Sequence, residues 1–331
     1  MQLTVEVTYY ALEASDLPSY DAFNASIVRT DYGHKDDDFG FLRTAVELLP
    51  FSADSRKCLG ARVRVISSSY ALLATINSKM ALVNVTGNLV DLSAHAFAAP
   101  SITTLNINTD QAATVLNNLY LDGTPSGMLP NTSDPNLVFP PQLVVASNVG
   151  DVVITKATAP GIDITTGGTV KVSTLGSSML KVCQGICGDI SIKATGSGRI
   201  SIGQTFGAMN TQISSEAGAI VMANTIVLNG RRMDISSASG KIYLVSFIQA
   251  SGNDTHVTSG GGDVAITFIM TNQLYVTAQN NAKVSVVEAF MGLNTLRNTF
   301  VPAYPASYNY SDPRLDVVSA NGAIAILGLG N

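Results

Sequence analysis

Apolar and polar residues alternate along most of this chain, and the alternation returns in short bursts. The phrase glycine, any residue, then aliphatic residues at every second position occurs as GDVVI at Gly150, GTVKV at Gly168, GDISI at Gly188 and GRISI at Gly198. It recurs as GAIVM at Gly218, GKIYL at Gly240, GDVAI at Gly262 and GAIAI at Gly322, with the variant AKVSV at Ala282. Between these lie strands of similar form, GIDIT at Gly161, SMLKV at Ser178, MDIS at Met233 and QLYV at Gln273. Period-two alternation marks strands with one buried face. The beat is about ten residues, and two beats make about twenty, a period that points to a repeat architecture.

Three features select a coil of strands over a sandwich or closed barrel. The units are self-similar, whereas sandwich strands have individual lengths and loops. The inward positions are Val, Ile, Leu, Ala and Met, sizes that stack upon themselves in a narrow interior. Between 142 and 301 the chain has one proline, Pro160. Strands paired on both sides cannot lose an N–H. The expected fold is all-β: a single-stranded-coil β-solenoid (β-helix) with rungs of about 20 residues. Its glycines are expected at turns, where they tolerate positive φ.

RVRVI (Arg62 to Ile66), ALLATI (Ala71 to Ile76), ALVNV (Ala81 to Val85), NLVDL (Asn88 to Leu92) and ITTLNI (Ile102 to Ile107) carry the rhythm back to about residue 61. Two stretches interrupt it, at about 108–142 and 289–315. In the first, TDQAATVLNNLYL (Thr109 to Leu121) predicts a helix with Ala112, Val115, Leu116 and Leu119 on one face and Thr109 or Asp110 as N-cap. Proline-rich segments follow it and fill the second stretch. Residues 1–60 differ from the body, opening with the amphipathic strand QLTVEVTYY (Gln2 to Tyr10). They suit the cap that an open solenoid end requires.

Composition narrows the function. Of the 331 residues only 13% are charged, about half the usual ~25%, and tryptophan is absent. Mean hydropathy is +0.26, yet no run of ~18 apolar residues predicts a membrane span. The formal net charge of -5 lies entirely in residues 1–60, which hold ten acids and five bases. A neutral body with an acidic head excludes nucleic acid as the expected partner. No basic start with an apolar stretch opens the sequence, so no signal peptide is expected in this numbering.

Catalytic groups are sparse. His34, His95 and His256 show no metal-ligand spacing, and no nucleophile elbow, phosphate loop or dinucleotide fingerprint occurs. Asp31, Asp36, Asp37 and Asp38 in DYGHKDDDFG are candidate oxygen ligands for Ca2+, against the reading of a solvated acidic loop. Otherwise no cofactor is expected. Asp151, Asp189 and Asp263 follow rung glycines and are expected to share one place in the repeat. Carboxylates on neighbouring rungs would suit glycoside chemistry, but these three are spaced for non-adjacent rungs and suit turn positions. Cys183 and Cys187 are a candidate disulfide, with two reduced buried thiols as the alternative. Asn24, Asn84, Asn131, Asn253 and Asn309 form N-glycosylation sequons, close in number to chance expectation. Tyr304, Tyr308 and Tyr310 are candidate interface residues.

The GDVVI, GTVKV, GDISI and GRISI strands resemble an adhesin-like β-solenoid family over about residues 143–290. That resemblance implies a non-enzymatic module, often at the cell surface, and transfers no catalytic residues. The functional expectation is an extracellular structural or adhesive β-solenoid, a subunit of a surface layer, filament or appendage. Its partners would be itself or other surface proteins, met through the solenoid ends, the N-terminal strand and the insertions, together with glycans. A carbohydrate-active β-helix enzyme and an intracellular scaffold are the alternatives.

Overall fold

A computed structural model describes residues 3–10, 25–32, 41–48, 60–67, 71–79, 82–86, 102–121, 143–159, 161–176, 189–203, 205–207, 210–228, 232–249, 254–271, 273–291 and 314–330. The chain divides into two compact units, Met1–Ser68 and Ser69–Asn331. The described residues contain strands and no helix.

The first unit holds two antiparallel pairs. Leu3–Tyr10 runs against Gly60–Ser67, with Leu3 opposite Ser67 and Tyr10 opposite Gly60. Ala25–Tyr32 pairs with Phe41–Leu48. The RVRVI segment therefore does not open the coil, as its rhythm suggests. It completes an antiparallel pair with the N-terminal strand, because period-two alternation serves either kind of ladder equally well.

The second unit is built from two parallel sheets, of ten and fourteen strands, which do not close into a barrel. Each strand of the ten-stranded sheet pairs with the next strand of that sheet in sequence, from Ala71–Ser78 to Arg314–Ser319. The intervening strands stack likewise in the other sheet. In the first sheet Leu143 faces Ile162, and Ile162 faces Ile190. Ile190 faces Thr211, which faces Met233. This ordered parallel stacking is the arrangement of a β-helix or solenoid. The neighbouring phrases GDISI and GRISI thus belong to different sheets: Ile190–Ala194 lies in the ten-stranded sheet, and Ile200–Ile202 lies in the fourteen-stranded one.

Alternation places the aliphatic side chains inside. Ile164, Ile192, Ile213, Ile235, Val257 and Val276 are stacked by register and almost wholly buried. Val152, Val170, Ile200, Ile220, Ile242, Val264 and Val284 form a matching column from the other sheet. Each such burial stabilises by roughly 1.5–3 kcal/mol.

The expected helix at Thr109–Leu121 is instead two strands, Thr114–Asn117 and Leu119–Tyr120, and the parallel ladder continues through them. Ala112, Thr114 and Leu116 are buried at every second position, with Val115 between them half-buried. Positions 112 and 116 fit both periods, so the helical count was met by coincidence. Asn118 then turns the chain at φ 49°, and Leu119 and Leu121 resume the buried set.

The rung glycines are required for space, and none of those in the stacked turns has the positive φ anticipated for them. Gly150, Gly168, Gly198, Gly218, Gly240, Gly262 and Gly322 form one column. A Cβ on any of them would fall under 3.0 Å from a backbone carbonyl oxygen of the turn beneath. Two described turns depart from the column, with Ala112 beneath Gly150 and Ala282 beneath Gly322. The second is also unusual in its backbone. There Asn280 and Asn281 adopt φ of 50° and 65°. Left-handed Asn residues thus re-route this turn.

Candidate binding face on the ten-stranded sheet

Residues that alternate with the buried columns point outward from the ten-stranded sheet. Parallel register gathers them into rows across strands that are distant in sequence. One row reads Gln212, Asp234, His256, Tyr275 and Asp316. The row beside it, in the same register, reads Asn210, Arg232, Asp254 and Gln273, the last of them buried. Strands in such a sheet are ~4.8 Å apart, so these groups form a continuous polar field.

Its centre is held by local bonds. Arg232 donates through Nε to Asp234 Oδ2 at 2.8 Å and through Nη2 to Oδ1 at 2.8 Å, a forked pair within one strand. The bond to Asp234 holds the Arg232 guanidinium still more firmly in its charged form; burial opposes this slightly, and the charges of Asp234 and Asp254 reinforce it. His256 stacks on Tyr275 with ring centroids 4.6 Å apart and planes 19° from parallel. Tyr275 Oη donates to Gln273 Oε1 at 2.9 Å. Behind them, the buried Thr255 and Thr271 hydroxyls lie 3.1 Å apart. The field therefore presents carboxylates and two aromatic rings in fixed positions, with the Arg232 guanidinium engaged by Asp234.

Of this constellation the sequence pattern marks only His256, as one of three histidines without metal-ligand spacing. The signal existed. Aligning the strands on buried Ile235, Val257, Val276 and half-buried Val317 puts Asp234, His256, Tyr275 and Asp316 in line.

The three turn aspartates do not share one place. Asp151 and Asp263 precede strands of the fourteen-stranded sheet, whereas Asp189 precedes a strand of the ten-stranded sheet. All three nevertheless do similar work. Asp189 Oδ1 accepts from the Asn210 backbone N–H at 3.2 Å and from Asn210 Nδ2 at 2.9 Å. Asp263 Oδ1 accepts from the Lys283 N–H at 3.0 Å, and Lys241 Nζ lies 3.5 Å from Asp263 Oδ2. The Lys283 bond above all, aided by the lysine charges, holds the Asp263 carboxyl below its ordinary value despite a small opposing cost of burial.

Of the sequon asparagines, Asn84 is exposed on the strand Val83–Thr86. Its Oδ1 accepts from Asn117 Nδ2 at 3.2 Å, and Asn117 Oδ1 accepts from Thr155 Oγ1 at 2.7 Å. Asn24, Asn131, Asn253 and Asn309 lie outside the described residues. So do Cys183, Cys187, Tyr304, Tyr308, Tyr310, Asp36, Asp37 and Asp38. Asp31 belongs to the strand Ala25–Tyr32, opposite Leu42. Among the described residues, no group of three or more His, Cys, Asp or Glu side chains is placed to hold a metal ion. No helix among them is long and apolar enough to cross a membrane.

Comparison of the chain with protein-family models, with curated proteins and with solved structures gave no match.

The last turn of the ladder is different in kind. Ile324 pairs with Val284, and Ile326 pairs with Val286. Val284 and Val286 are buried, but Ile324 and Ile326 are 44% and 39% exposed, and Leu327 is 75% exposed. The aliphatic columns thus emerge at the C-terminal end of the ladder, where the strands Arg314–Ser319 and Ile324–Gly330 are the terminal members of their sheets.

Proposed function

We propose that this protein is a non-enzymatic structural and adhesive β-solenoid, a subunit of an extracellular surface layer, filament or appendage. Its coil has rungs of about twenty residues. The resemblance of its glycine-led strands to the adhesin-like family supports the surface role, and the ordered parallel register supports the coil.

The observation that carries the assembly reading is the open terminal rung. Ile324 and Ile326 are 44% and 39% exposed in columns whose preceding members, Val284 and Val286, are buried. Among the described residues no further strand lies on this edge, and an open edge with apolar side chains favours strand addition or end-to-end packing. Light scattering across a concentration series, with negative-stain electron microscopy, tests this. Oligomers or filaments should form and should disappear in Ile326→Lys. Monomers throughout the series would overturn assembly. An intact mass of protein from its natural source tests the compartment: glycan mass supports an extracellular life, whereas an unmodified chain with Cys183 and Cys187 reduced supports the intracellular scaffold.

A second reading, a carbohydrate-active β-helix enzyme, is favoured by Asp234 and Asp254, which stand on adjacent strands of one face. Paired carboxyl groups are what glycoside hydrolysis uses. Reducing-end release from a polysaccharide panel, lost in Asp234→Asn, would establish it.

A further inference from the structure

The geometry points to a glycan-binding platform on the outward face of the ten-stranded sheet, centred on His256 and Tyr275 and taking an extended, uncharged saccharide chain. The inference rests on the solenoid reading, because it needs a flat, regularly spaced face.

The chemistry of the field selects the ligand class. Asp234, Asp254 and Asp316 are acceptors for hydroxyl groups, and the Tyr275 and His256 rings add polarisable surface with a polar edge. The forked bond to Asp234 occupies the guanidinium of Arg232. Among Arg232, Asp234, Asp254 and Asp316, three formal negative charges stand against one positive. A polyanion such as nucleic acid or a uronic-acid polymer is therefore repelled, while a polyhydroxylated neutral chain finds acceptors and donors at each strand.

Spacing agrees with this. Neighbouring strands present equivalent outward positions every ~4.8 Å along the ladder, close to the advance of one sugar unit in an extended polysaccharide. A chain lying across the strands can thus repeat its contacts from Asp234 to Asp316. The platform is also fixed before any ligand arrives. Arg232 is bonded to Asp234, Tyr275 to Gln273, and His256 is stacked on Tyr275. A preorganised face loses less conformational entropy on binding.

The test is titration calorimetry of the full chain with cellohexaose, chitohexaose and hexagalacturonate, repeated in Tyr275→Ala and Asp234→Asn. Ser214→Ala, which alters an outward residue on a strand away from the aromatic pair, serves as control. A neutral hexasaccharide should bind in preference to hexagalacturonate. Its affinity should fall at least tenfold in Tyr275→Ala and Asp234→Asn and remain within twofold in Ser214→Ala, with circular dichroism confirming an intact fold. Absence of binding to both neutral sugars would overturn the platform. So would preference for hexagalacturonate, or affinity unchanged in both site variants. Binding with sugar cleavage would keep the platform and remove the non-enzymatic reading. Failure to assemble in the light-scattering series would leave this result untouched, so the two proposals fail separately.

Discussion

Asp151 Oδ1 accepts a hydrogen bond from the backbone N–H of Thr169, 2.7 Å away on the next strand of the stack. Asp263 does the same for Lys283, and Asp189 for Asn210. The carboxylate after the glycine is thus a tie between turns. It satisfies an amide at the point where one turn meets the next.

This tie gives the stability a pH dependence. The Asp263 carboxyl is held below its ordinary value in the folded chain, chiefly by the Lys283 N–H. Its contribution is fully present above the unfolded value of about 4. It is lost as pH falls through the lower folded value. Thermal melts of the native chain and Asp263→Asn should differ near neutral pH and converge in strong acid. The gain is small, since the group is exposed and screened. A difference that widened in acid would refute the assignment.

The glycine column makes a sharper demand. Gly218→Ala forces a methyl group against the Gly198 carbonyl and should destabilise by about 3 kcal/mol. At Gly261 the nearest atom to an added methyl is 3.7 Å away, the Ala238 carbonyl oxygen, and Gly261→Ala should be nearly neutral. Urea unfolding of the pair measures this. Equal midpoints would show that the column is not the reason for glycine.

Buried hydroxyls beneath the turns should separate into two groups. Thr166 Oγ1 donates to the Gly150 carbonyl at 2.6 Å and accepts from the Gly168 N–H at 2.9 Å. Thr166→Val should therefore cost about 1–3 kcal/mol. Among the described residues Ser147 Oγ is buried without a protein partner, so Ser147→Ala should cost clearly less. Equilibrium denaturation of both variants ranks them, and the reverse order would contradict the bonding pattern.

The exceptional turn offers a fourth check. Asn281 has φ 65°, a region that costs an ordinary side chain roughly 1–2 kcal/mol and glycine little. Asn281→Gly should melt at or near the native temperature, with Asn281→Ala below it. Identical melts would argue against the left-handed conformation.

Much of the ladder was legible because stacked strands repeat their inward residues, and Val152, Val170 and Ile200 announce a common column in their spelling. The segment at 109–121 misled because Ala112 and Leu116 satisfy two periods at once. Arg62–Ile66 misled because alternation records which face is buried, and says nothing of strand direction. The reason for the glycines was also hidden: a carbonyl arriving from another turn leaves no mark in the local sequence. The outward row from Asp234 to Asp316 depends on register between segments far apart in the chain, so it surfaced only once the strands were laid side by side.

The aligned glycines also say how this molecule can change length. Each glycine-led turn offers its successor a carbonyl across a similarly narrow gap, so the joint between turns is interchangeable wherever both sides keep the glycine. A cassette cut from one glycine to the next carries a complete joint. Duplicating or excising such a cassette should lengthen or shorten the ladder by one step without redesigning its interior. The turn at Asn280 and Asn281 lacks that universal joint, and a cut there would leave mismatched ends.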